Sequence, residues 1–152
     1  MAYWLFKSEP ETFSIDHLKA CPQSTDAWNG VRNYQARNMM RDQMKIGDEG
    51  FFYHSNCKIP GIVGTVKIVC ASYPDTTQFD PDSEYYDPKS TSDTPRWFVV
   101  DVKFKQKFSS IIPLQQLKML PELSQMPLLR TGNRLSITPV TKEEWSCITN
   151  FK

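Results

Sequence analysis

Residues 97–104, WFVVDVKF, place Phe98, Val100, Val102 and Phe104 on one side of an extended chain and Trp97, Asp101 and Lys103 on the other. Successive side chains of a strand point to opposite faces of its sheet, so this segment reads as a half-buried strand. Such a strand needs neighbours to complete its ladder and a layer to cover its apolar face. The rest of the chain offers both. Tyr3–Ser8 is aromatic and apolar and predicts a buried first strand, ended by Pro10, which cannot donate to a ladder. Residues 51–56 and 62–69 are rich in aromatic and β-branched side chains, and the turn dipeptide Pro60-Gly61 between them predicts a hairpin. Residues 135–138 predict a short closing strand.

Helical signals supply the covering layer. Ser14 is placed to cap a short helix that carries Ile15 and Leu18 and ends at Pro22. Over residues 33–45, Ala36, Met40 and Met44 fall four apart, which stacks them on one helix face, with Asn33, Arg37 and Arg41 as the adjacent stripe and Gly47 as the cap. Leu114, Leu117 and Leu120 predict a helix broken at Pro121. Thr141 and Glu144 have capping-box spacing and open a last helix that turns Trp145 and Ile148 inward. Residues 72–95, rich in Pro, Asp, Ser and Thr, predict a long surface loop. Strands outnumber helices without β-α-β alternation, and no repeat or shift of composition divides the chain. The expectation is one α+β domain over residues 1–152, built on a strongly curved, mostly antiparallel sheet or barrel flanked by short helices.

Composition limits the partners. Lys and Arg total 18 against 17 Asp and Glu, a net charge of +1, so bulk attraction cannot hold a polyanion and any nucleic-acid contact must be local. Cys21, Cys57, Cys70 and Cys147 form no C-x-x-C pair, and only His17 and His54 could join them. That argues against a metal site and for free thiols in a reducing compartment, with the cytoplasm expected. The N-terminal apolar run is too short for a signal peptide, and no stretch approaches the roughly 20 apolar residues that span a bilayer, so no membrane partner is expected. No G-x-S-x-G, P-loop, H-E-x-x-H or G-x-G-x-x-G motif occurs, and the adjacent His54 and Ser55 would point to opposite faces of a strand. Neither catalysis nor a cofactor is expected. A small hydrolase using His54 with Ser55 or Cys57 is the weaker alternative.

Five strings occur in order: YWLFKSEP (3 to 10), WNGVRNYQARNMM (28 to 40), GFFYHSN (50 to 56), PGIVG (60 to 64) and PRWFVVDV (95 to 102), followed by LSITPV (135 to 140). Together they resemble the EVE domain family over almost the whole chain. The resemblance implies a PUA-like fold related to the YTH domains, which read methylated adenine in RNA inside an aromatic cage. It implies a binding module for nucleic acid carrying a modified base, with modified cytosine in DNA, such as 5-methylcytosine, favoured over RNA. An RNA-binding module or a pocket for a free nucleoside or other small ligand is the alternative. Because the chain has no Lys and Arg-rich run, a bacterial member of the family is expected.

A flipped base needs flat faces for stacking and polar atoms along its hydrogen-bonding edge. By resemblance to the cage tryptophan of YTH domains, Trp28 is assigned a stacking wall; its bland alternative is cover for a sheet edge. Lys7, Ser8 and Glu9 close the first strand with groups that can meet a phosphate, a hydroxyl or an exocyclic amine. Asn29, beside Trp28, joins the base pocket. His54, Ser55 and Asn56 end the next strand in a similar way, although His54 fits a structural role as well. Tyr53 and Trp97 suit either pocket or core. Arg32, Asn33 and Arg37, with Arg96 and Arg134 at the rim, are expected to hold the flanking nucleic-acid backbone.

Overall fold

The computed structural model describes residues 1–151. β1 (Tyr3–Ser8) forms where expected and lies inside the sheet, parallel to β3 (Glu49–His54) on one side and antiparallel to β6 (Ile137–Val140) on the other. β4 (Gly61–Pro74) forms the expected hairpin with β3, then pairs along its length with β5 (Phe98–Pro113). β2 (Thr25–Ala27) edges β5, giving the order β2-β5-β4-β3-β1-β6. The architecture is α+β and PUA-like, with a mixed sheet that is antiparallel except between β1 and β3. It stays open, and the expected barrel or strong curl does not form. Its edge strands, β2 and β6, of three and four residues, lie at opposite ends of the order and do not pair with each other.

Alternation along the strands divides the core in two. Trp4, Phe6, Phe52, Val66, Ile68, Val100 and Val102 face α2 (Ile15–Ala20) and α3 (Tyr34–Asn38), meeting Ile15, Leu18, Ala36 and Met40. On the opposite side Leu5, Phe51, Tyr53 and Ile62 pack on Leu117 of α4 (Leu114–Lys118) and on Trp145 and Ile148 of α5 (Lys142–Phe151). α1 (Pro10–Phe13) is a single turn after β1. Ser14 caps α2 as its position predicts: its hydroxyl accepts from His17 N, and His17 Nδ1 accepts from Ser14 N. Thr141 and Glu144 form the predicted reciprocal cap. The helix expected over 33–45 starts at Tyr34 and passes into a π-helical turn, Met39–Gln43. Its four-residue spacing still buries Ala36, Met40 and Met44. β6 starts two residues later than expected, since Leu135 N donates to Asn133 Oδ1 instead of to a ladder. Among the described residues no helix is long and apolar enough to cross a membrane.

Asp48 ties the start of the chain to this core. The carboxylate is 3% exposed and accepts from Trp4 Nε1 at 3.1 Å, Ala2 N at 3.1 Å and Lys45 N at 3.0 Å. Asp48→Ala strands a buried indole N–H and two amides, each costing about 1–3 kcal/mol if left dry. We expect a loss of at least about 2 kcal/mol in urea unfolding with an unchanged m-value, and a loss below half of that would show that water replaces the carboxylate.

Candidate nucleic-acid interface

The end of β1, the turn into α1 and residues 26–32 enclose a cleft of about 610 Å³, within the roughly 300–1,000 Å³ of small-ligand pockets. Its walls include Lys7, Ser8, Glu9, Trp28, Asn29 and Arg32, all expected at the site. Tyr85, from the long loop after β4, and Ser136, just before β6, complete the rim.

Trp28 is both wall and core. Only 8% exposed, it packs its indole edge-on against Phe6, Phe52 and Phe13, with ring centres 5.1, 5.5 and 6.3 Å away. Its indole N–H has no hydrogen-bond partner among the described residues, unlike those of Trp4 and Trp97. Lys7 is half-buried, and burial lowers its ammonium pKa below the ordinary value. Among the described residues no carboxylate lies within ion-pair distance of it. Ser8 Oγ donates to Phe13 O at 2.6 Å, which ties the strand end to α1. The exposed side-chain amide of Asn29 carries no internal hydrogen bond. Glu9, Asp26 and Glu84 give the cleft three carboxylates, against Lys7 and an Arg32 already paired with Asp75.

Several expected residues stand behind this wall rather than in it. Ser55 N donates to Ser8 O at 2.9 Å and Asn56 Nδ2 to Glu9 Oε1 at 2.9 Å, so both buttress the strand end. His54 Nε2 accepts from Ile15 N at 3.1 Å, which makes the imidazole an acceptor for the first turn of α2. Tyr53 does not reach the cleft: side chains alternate along β3, and it lies in the core on the other face of the sheet. Trp97 is also displaced, buried in the long loop with its Nε1 donating to Asp87 at 2.7 Å.

The arginines have structural partners that the sequence did not disclose. All the guanidinium N–H groups of Arg32 are engaged, with Asp75, Thr77 Oγ1, Val31 O and, twice, Tyr85 O, at 2.8 to 3.3 Å. Its plane also lies between Tyr85 and Trp97, 5.4 and 5.3 Å from their ring centres. Tyr34 stacks on Trp97 at 4.8 Å, and Arg37 lies 4.7 Å over Tyr34 while donating to Arg96 O. Asn33 caps α3, its Oδ1 accepting from Ala36 N. Arg96 faces Asp87 at 3.8 Å. Arg32 therefore has no free donor for a phosphate, while Arg37 is partly engaged and Arg96 carries only a long ion pair to Asp87. Arg134 alone of the expected backbone contacts is exposed and without an internal partner. Tyr85 escaped the sequence reading; its signal was Gly30, at φ +76°, where an added Cβ would stand 2.6 Å from the Tyr85 ring.

The EVE domain model matches residues 2–151. The chain belongs to the EVE family. It is 48% identical to mouse thymocyte nuclear protein 1, over 99% of this chain and 73% of that protein. A Pseudomonas putida protein solved by X-ray crystallography superposes with a TM-score of 0.93 at 48% identity, covering 98% of each chain. The human THYN1 protein in complex with 5-methylcytosine-containing DNA superposes with a TM-score of 0.94 at 47% identity, covering 99% of this chain and 97% of that one.

His54 gives the site a pH signature. Burial lowers its pKa below 6.5, with the Asp16 charge opposing. A depressed folded pKa means that its stabilising contribution is complete above the unfolded value of about 6.5 and falls away as pH drops toward the folded one. Protonation also removes the acceptor for Ile15 N. We expect wild-type stability to decline between about pH 7 and 5, and His54→Ala to be less stable at pH 7.5 but flatter across that interval; equal slopes in denaturant melts would refute the assignment.

Proposed function

We propose that the cleft holds one base extruded from nucleic acid, a modified cytosine in DNA before others, and binds it without performing chemistry on it. The observation that carries this reading is the relative seen with 5-methylcytosine-containing DNA, which shares 47% identity and a TM-score of 0.94 with this chain. The local chemistry supports it. Trp28 offers an unused indole N–H, Lys7 an unpaired ammonium and Asn29 a free side-chain amide, and Glu9 and Asp26 bring to the cleft carboxylates with lone pairs left to accept from an exocyclic amine such as cytosine N4. A cleft with three carboxylates suits a neutral base better than a phosphate. Binding without turnover is supported by His54, whose Nε2 already accepts from Ile15 N and so cannot take a proton from Ser55 or Cys57. The four cysteines are free thiols, which favours a reducing compartment such as the cytoplasm.

Fluorescence titrations against matched DNA, RNA and free nucleosides, each with and without the modification, test the reading. Modified DNA is expected to bind most tightly, and equal affinity for modified and unmodified cytosine would overturn it. Lys7→Met should weaken modified DNA about 3- to 10-fold by deleting one charge-assisted hydrogen bond, with little effect on the melt. Trp28→Ala is unsuitable alone, because truncating a packed tryptophan costs about 3–5 kcal/mol of stability. Trp28→Phe keeps a ring against Phe6 and Phe52 and should reduce the preference for the modified base while the protein stays folded.

A further inference from the structure

We propose that a second groove, beside the cleft, seats the phosphodiester backbone flanking the extruded base, with Arg130 and Arg134 as its cations. The inference rests on the base-reading function and adds the place where the strand runs. The groove has a volume of about 400 Å³ and is formed by Gln35 and Met39, the loop from Arg130 to Asn133, and Thr138 in β6. The two are neighbours along the chain: Leu135 lines the groove, and the next residue, Ser136, lines the cleft and accepts from Lys7 N at 2.8 Å.

Charge separates the two. No Asp or Glu lines the groove, whereas three carboxylates line the cleft. A strand with a base in the cleft must set its phosphates somewhere, and acidic walls repel them. Arg130 lies in the groove wall and Arg134 just beyond it; both are exposed, and neither has an internal ion pair among the described residues. This is the reverse of Arg32, whose N–H groups are all engaged. Between the two cations, Gly132 has φ +82° with open space around its α-carbon, and the backbone N–H groups of Thr131 and Gly132 carry no internal hydrogen bond. Adjacent free amides in such a turn form an anion-binding concavity.

A second, independent observation marks the groove as incomplete. The Thr138 hydroxyl is wholly buried in its wall and is the only buried side-chain oxygen or nitrogen without a partner among the described residues. A buried hydroxyl with no partner is disfavoured unless something outside the chain satisfies it. Because the hydroxyl is wholly buried, a sugar or phosphate oxygen seated in the groove reaches it only when the adjoining 130–133 loop shifts on binding.

The test uses the intact protein, an unmodified oligodeoxynucleotide, and the same strand with a single 5-methylcytosine. Arg130→Ala and Arg134→Ala should each weaken both strands by the same factor and each reduce the slope of log K against log salt by about one unit, leaving the ratio between strands unchanged. Thr138→Val should melt no lower than wild type and weaken both strands about 3- to 10-fold. In amide NMR spectra the unmodified strand should shift Thr131 to Arg134. If the arginine variants bind both strands with wild-type affinity and salt slope, or those amides do not move, the groove assignment is overturned while base reading stands. If the amides move and the slopes fall but methylation makes no difference, the groove is upheld and base reading fails.

Discussion

The ion pair between Asp75 and Arg32 is the interaction on which the cleft depends. Asp75 is 1% exposed and accepts from Gly30 N, Arg32 Nη1, Thr77 N and Thr77 Oγ1. Burial pushes its carboxyl upward, but the hydrogen bonds from Thr77, Gly30 and Arg32 outweigh that effect and hold it below the ordinary carboxylate value. The charge therefore survives in the interior, where removing either partner would leave the other uncompensated. One carboxylate thus fixes both the segment that carries Trp28 and the start of the loop that carries Tyr85. From it the alternating stack of Tyr85, Arg32, Trp97, Tyr34 and Arg37 extends along the loop and ties a segment rich in Pro, Asp and Ser to the body of the domain.

That tie bears on affinity. A base entering a cleft whose aromatic rings and carboxylates are already held in place orders few side chains on arrival, and each rotamer-rich side chain left free would cost about 0.5–1.5 kcal/mol. Trp28 shows the same logic at one residue. Three rings pack edge-on against it and hold it in the core, while its indole N–H is left without a partner among the described residues. On the proposed reading, packing and recognition are one arrangement at Trp28, and its truncation would disturb both.

Features that depend on local physics were legible in the sequence. The aromatic run Tyr3–Ser8, the alternation from Phe98 to Phe104, the four-residue spacing of Ala36, Met40 and Met44, and the caps at Ser14 and Thr141 each depend on neighbours within a few positions. Features that depend on distant partners were not. β2 has only Thr25, Asp26 and Ala27 and no apolar period; it exists because β5 supplies its ladder. Arg32 and Arg37 read as cations for a nucleic-acid backbone until Asp75, Tyr85 and the carbonyl of Arg96 are brought against them from more than 40 residues away. Tyr53 and Trp97 carried no signal to choose between core and pocket, since an aromatic residue in a strand satisfies either. The open sheet was also beyond local reading, because closure depends on whether short edge strands can reach each other.

Near-neutrality finally constrains how such a protein selects its ligand. With a net charge of +1 and its cleft arginine neutralised internally, the chain has few cations to release counterions from DNA. If it binds DNA as proposed, its sequence-blind affinity is expected to be weak, and its salt dependence shallow beside that of proteins that neutralise six to ten phosphates. Weak general attachment favours discrimination, because specificity is the difference between the affinities for the right and the wrong base, and a large common electrostatic term would hold both. On this view the carboxylates in the cleft are part of the selectivity: they disfavour phosphates there, and so leave the cleft to a neutral base presented by a strand that lies outside it.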